Sequence, residues 1–170
     1  HEAQGVATVL SMDPDFRPDA IAMIALSAAF SLTGAPFEGP LAGLRVGIAD
    51  DGSYQAFLPA EKLNHGKLDL VVAGTANGVM MVEAGANEVS EEQVVDAIAY
   101  AYEAMQPAIA LQEELIQKVG VTKREYTLSL PDETIQEEVN QWVHGKLGQA
   151  LRTAYPERNE MIREMRDEME

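Results

Sequence analysis

Two residues in this chain have both the type and the setting for chemistry, Arg45 and Asp69. Arg45 stands between glycines in Gly43-Leu44-Arg45-Val46-Gly47, at the start of an apolar run. A guanidinium flanked by open backbone amides can hold a phosphate through charge-assisted, forked hydrogen bonds. The competing reading is an ion pair with a neighbouring acid such as Glu38, and both remain open at this point. Asp69 is the lone acid at the mouth of an apolar stretch, KLDLVVAGTANGVMMVE, that reads as two strands. It is either a ligand or catalytic group, or a strand-end carboxylate bonded to nearby amides. The second reading follows the general rule that buried polar groups are hydrogen-bonded.

Other chemistry finds little footing. His1, His65 and His144 are far apart and outside any HExxH frame, so each reads as a structural or surface residue. With no cysteine, disulfide scaffolds and thiolate metal sites are excluded. No nucleophile elbow, Walker loop or GxGxxG fingerprint occurs. The remaining bases are isolated: Lys62 and Lys67 frame the loop before Asp69, and Lys123-Arg124 lie in a polar stretch without an aromatic platform beside them.

The 170 residues carry 28 acids against 12 bases, a net charge of −16, which disfavours nonspecific binding of nucleic acid by the whole surface. Any polyanion site must be local or completed by other chains. The most apolar run, residues 20–32, is too short to span a bilayer and reads as a core helix. The absence of cysteine and of a signal-peptide pattern suits a cytoplasmic protein with no membrane partner.

The elements that must position Arg45 and Asp69 follow from periodicity and punctuation. Residues 5–11 are β-rich and predict a strand beginning almost at the first residue, as if the chain had been cut from something longer. Pro18 opens a helix that runs to about Thr33 and stops at Gly34. Its surface is apolar almost all round, interrupted only by Ser27 and Ser31, so it belongs inside a sandwich of other elements. Strands over 44–49 and 54–58 form a hairpin through Asp51-Gly52, and 59–66 links them onward. Strands over 68–73 and 79–83 are joined by a five-residue loop, Gly74 to Gly78. Ser90 and Gln93 form a capping box for a long helix that Pro107 should kink, ending near Gly120. Residues 121–131 read as a linker, and 132–152 and 156–170 as two amphipathic helices with acids in their first turns. The whole is α+β: a first domain over 1–120 whose strands arrive as hairpins, then an all-α segment over 121–170.

The combination of GVATVLSMDP, AIAMIALSAAFSLTGAPFEGP, LRVG and KLDLVVAGT resembles bacterial polynucleotide phosphorylases. The resemblance implies an RNase PH-like core (ribosomal protein S5 domain 2-like, β-α-β), N-terminally truncated, followed by the start of an all-helical domain. It implies a parent enzyme that is a cytoplasmic, homotrimeric 3′→5′ exoribonuclease of mRNA turnover, using RNA, inorganic phosphate and Mg2+. Members have one catalytic and one degenerate core. The catalytic core has a serine-rich phosphate turn where this chain has Arg17-Pro18-Asp19. It also has a metal-binding aspartate at the position of Leu63 and a lysine at that of Val71, so Asp69 is only a residual metal candidate. The resemblance therefore implies a non-catalytic first core, without a catalytic residue or metal of its own, that serves trimer assembly and RNA-channel lining. Arg45 matches an arginine implicated in binding RNA or anions. The alternative is a non-catalytic ring subunit or a binding and assembly module.

Overall fold

The fold is described for residues 3–169 of a computed structural model, so the reading of His1 lies outside the described residues. Two compact units appear, one up to Glu125 and one from Tyr126.

The first unit is built on a four-stranded antiparallel sheet. Its strands are β1 (Leu41–Ile48), β2 (Tyr54–Ala56), β3 (Leu68–Thr75) and β4 (Gly78–Ala86), in the order β2-β1-β3-β4. Side chains alternate between the faces of a strand, and this alternation sorts the layers. Ala42, Leu44 and Val46 of β1, with Leu68, Leu70 and Val72 of β3, are buried together with Ala97, Ala101, Met105 and Ile109. These last four recur at every fourth position of α3 (Glu91–Val119), forming the single apolar stripe expected of a helix laid on a sheet. The predicted capping box is present: the Ser90 hydroxyl accepts the Gln93 amide and the Gln93 side chain accepts the Ser90 amide, each at 3.2 Å. Gly120 closes the helix in the left-handed conformation, at φ 68°. Pro107 lies within one continuous helical element.

The opposite face of β1 carries Leu41, Gly43, Arg45 and Gly47. Against it lie α1 (Asp19–Ser31) and the short α2 (Ala60–His65), which forms in what the sequence presents as a link. A methyl at Gly43 would meet the Met23 sulfur at 2.6 Å, and one at Gly47 would meet Leu58 and Leu63. The two glycines therefore let α1 and the Leu58–Leu63 region approach the strand.

Three sequence expectations change here. Residues 5–11 form no strand; β-propensity needs a neighbouring edge to pair with, and this segment instead lies along α1, with Gly5 against Phe30 and Leu26. Helix α1 is not enclosed all round: Ile21 is 60% exposed, and two of its three buried residues are Ser27 and Ser31. The Ser27 hydroxyl accepts the Leu41 amide at 2.9 Å, which is why a polar residue can face the sheet there. The third is the β3–β4 connection. Thr75 pairs with Gly78, so the turn is only Ala76-Asn77, and the Tyr102 hydroxyl on α3 donates to Ala76.

The carbonyl end of α1 has an unanticipated cap. Lys123 Nζ donates to the carbonyls of Phe30, Ser31 and Thr33 at 3.4, 2.8 and 3.0 Å. The helix has no base in its own last turn, so a cation some ninety residues away serves its negative end.

The second unit contains α4 (Glu133–Val143), α5 (Lys146–Arg152) and α6 (Glu157–Met169). The single helix expected over 132–152 is broken at His144-Gly145, where Gly145 has φ 80°. Asp132 caps α4 by accepting the amides of Thr134 and Ile135, and Lys146 stacks over the Trp142 ring at 3.7 Å. Among the described residues, no helix is long and apolar enough to cross a membrane.

Candidate functional site

Arg45 and Asp69 come together on the face of the sheet that α1 and α2 cover. Arg45 is opposite Val71 and Asp69 is opposite Gly47, so the two side chains are diagonal neighbours on adjacent strands. Arg45 Nη1 donates to one Asp69 oxygen, and its Nη2 donates to Asp19 in the first turn of α1. Asp19 also accepts the Ala20 amide at 2.8 Å. The other Asp69 oxygen lies 3.5 Å from Arg17 Nη1, and Arg17 Nη2 donates to Asn64 at the end of α2. Four elements are thus joined by two arginines, two aspartates and one asparagine.

The charges within this cluster balance. Burial pushes the Arg45 guanidinium down, but hydrogen bonds and charge from Asp19 and Asp69 hold it above its ordinary value. Burial pushes the Asp19 carboxyl up. The hydrogen bonds from Arg45 and the Ala20 amide, with the charges of Arg45 and Arg17, outweigh this and leave it below its ordinary value. Arg45 Nε is buried with no partner among the described residues.

The strand-end reading of Asp69 needs amending: its partners are the guanidinium groups of Arg45 and Arg17 rather than nearby amides. Arg45 pairs with Asp19 and Asp69 rather than with Glu38, since α1 lies directly across the face that Arg45 occupies. The glycines beside Arg45 do not form an open phosphate nest. They are interior to β1, paired with Ala73 and Asp69 and covered by side chains.

A divalent cation does not fit at Asp69. Mg2+ needs several oxygens in octahedral order, whereas Leu63 and Val71 supply none and two guanidiniums lie against the carboxylate. Among the described residues, no group of three His, Cys, Asp or Glu could share a metal.

Asn64 is a member of this cluster that the sequence did not indicate, and Arg17 entered the sequence reading only as standing where the catalytic core has its phosphate turn. Arg17 is adjacent to Pro18 and Asp19, but nothing local indicates that it turns towards β3. It also lines an open groove of about 840 Å3 between residues 7–13 and α1, with Phe16 and Phe57 on the same walls.

The comparisons with known proteins bear on this geometry. Residues 39–104, which include Arg45 and Asp69, match the 3′ exoribonuclease family, domain 2. The chain is 39% identical over 168 residues to the polyribonucleotide nucleotidyltransferase of Halothermothrix orenii, covering 98% of this chain and 24% of that one. It is 40% identical over 163 residues to that of Alkaliphilus oremlandii, covering 95% and 23%. For Heliobacterium modesticaldum the figures are 42% over 151 residues, 89% and 21%. The chain thus spans about a quarter of the length of these curated relatives. Residues 39–104 thus form a domain 2 of the 3′ exoribonuclease family, within a chain that is similar along nearly all of its length to about a quarter of the length of these polyribonucleotide nucleotidyltransferases.

Proposed function

We propose that this chain serves as a non-catalytic, first RNase PH-like core, with the start of a helical domain, of a cytoplasmic 3′→5′ phosphorolytic exoribonuclease. In that reaction an oxygen of inorganic phosphate attacks the 3′-terminal phosphodiester of RNA. The bond from phosphorus to the preceding 3′ oxygen breaks, that oxygen takes up a proton, and a nucleoside diphosphate leaves. The role of this core is to assemble a homotrimeric ring and line the RNA channel, with the Arg45 side of the sheet facing RNA. Mg2+ would act on another core of the assembly.

One observation carries the reading. The only acid at the family's metal-site position is ion-paired to Arg45 and Arg17, and a carboxylate so held is a poor ligand for a cation. The likeness to whole nucleotidyltransferases supports the reaction class.

The test is an assay of the 170-residue chain with oligoadenylate, inorganic phosphate and Mg2+, following ADP release. The expected result is no phosphate-dependent ADP. Release that Asp69→Ala abolishes would overturn the reading.

A further inference from the structure

We infer that Arg17, rather than Arg45, is the residue that contacts an RNA phosphate at this site, and that Arg45 is a positioning residue behind it. This rests on the proposal that the Arg45 side of the sheet faces RNA.

The two guanidiniums differ in what they have left to offer. Arg45 is 15% exposed; its two terminal nitrogens are committed to carboxylates on separate elements, and its Nε is buried. A phosphate reaching it would have to displace Asp19, leaving that carboxylate without a cation, or Asp69, leaving it only the 3.5 Å contact to Arg17, and either is costly in a half-buried setting. Arg17 is 37% exposed. One of its nitrogens is held by Asn64, which is neutral, and its only ionic contact is the 3.5 Å approach to Asp69. That is the longest contact in the cluster, and Asp69 keeps Arg45 if it is given up. A phosphodiester can therefore take Arg17 without dismantling the pair behind it.

Access and ligand class agree with this assignment. Arg17 opens onto the groove beside α1, whose walls include Phe16 and Phe57, 41% and 40% exposed. Phe57 has φ 55°, a left-handed conformation that bulky residues rarely adopt and that tends to cluster at ligand sites. A cation beside exposed rings is the pairing that binds single-stranded nucleic acid, phosphate to the cation and base to the ring face. The division of labour is that Arg45 and Asp69 hold Asp19 and the sheet in place, while Asn64 and Asp69 aim Arg17.

The experiment measures binding of fluorescent oligoadenylate to the 170-residue chain across a low-salt series. It compares wild type, Arg17→Gln, Arg17→Lys and Arg45→Gln, with thermal unfolding of each and inorganic phosphate as competitor. Arg17→Gln should weaken binding about fivefold and flatten the salt dependence by about 0.7, one single-strand phosphate contact, with the melting temperature unchanged. Arg17→Lys should restore the salt dependence, and Arg45→Gln should lower the melting temperature. Loss of phosphate competition in Arg17→Gln would assign free phosphate as well as RNA to Arg17; competition that persists would restrict Arg17 to the phosphodiester. Arg17→Gln binding like wild type while Arg45→Gln loses a contact would overturn this inference and leave the proposed function standing. No binding by the wild-type chain at low salt would overturn both.

Discussion

Arg45 and Asp69 meet across a diagonal of the sheet, two residues out of register: Asp69 is opposite Gly47, and Arg45 is opposite Val71. The pair is mostly sheltered, at 15% and 24% exposure, and this sets what its removal should do.

Asp69→Ala should destabilise the chain by about 1–3 kcal/mol, because it leaves a half-buried guanidinium with one partner. Urea unfolding measures this. A change within about 0.5 kcal/mol would mean that the carboxylate is idle, as at an ordinary surface position.

Asp19 should make the fold acid-sensitive. Its folded value lies below the ordinary 3.8, so its contribution is fully present above that value and is lost as pH falls through the folded one. Asp19→Asn should therefore lose less stability than wild type between about pH 6 and about pH 2.5. Equal losses in two denaturation series would show that Asp19 is not held by Arg45.

Lys123→Met should cost about 1–2 kcal/mol by uncapping three carbonyls at the end of α1. Hydrogen exchange of amides in the last turn of α1 should quicken more than that in α3. Uniform change across both helices would contradict a local capping role.

Gly47→Ala should destabilise by about 1–3 kcal/mol through overpacking. The new methyl would lie 2.7 Å from Leu58, 2.9 Å from Leu63 and 3.1 Å from the Leu68 carbonyl. Moving Leu63 shifts α2 and with it Asn64, so Arg17 should also lose its aim. A stable variant with unaltered oligoadenylate binding would show that α2 can give way freely.

Features set by neighbours along the chain are legible in the order of residues alone. The capping box of Ser90 and Gln93, the stop at Gly120, the hairpin character of the strands and the α+β class all follow from residues within a few positions of one another. The β-rich run over 5–11 misleads because strand propensity is only half of a strand; the other half is a partner edge, which local sequence does not contain. Ser27 and Ser31 look like interruptions of an apolar helix, yet they are among its buried residues, because Ser27 answers an amide of β1 fourteen residues away.

The amino-acid sequence by itself determined the α+β class and the resemblance to polynucleotide phosphorylases, and singled out Arg45 and Asp69 as candidates. It could not assign their partners. Asp19 lies 26 residues before Arg45, and Arg17 lies 52 residues before Asp69. Only the packing of α1 and α2 onto one face of the sheet brought those side chains together. An ion pair depends on distance in space, and chain separation does not encode it.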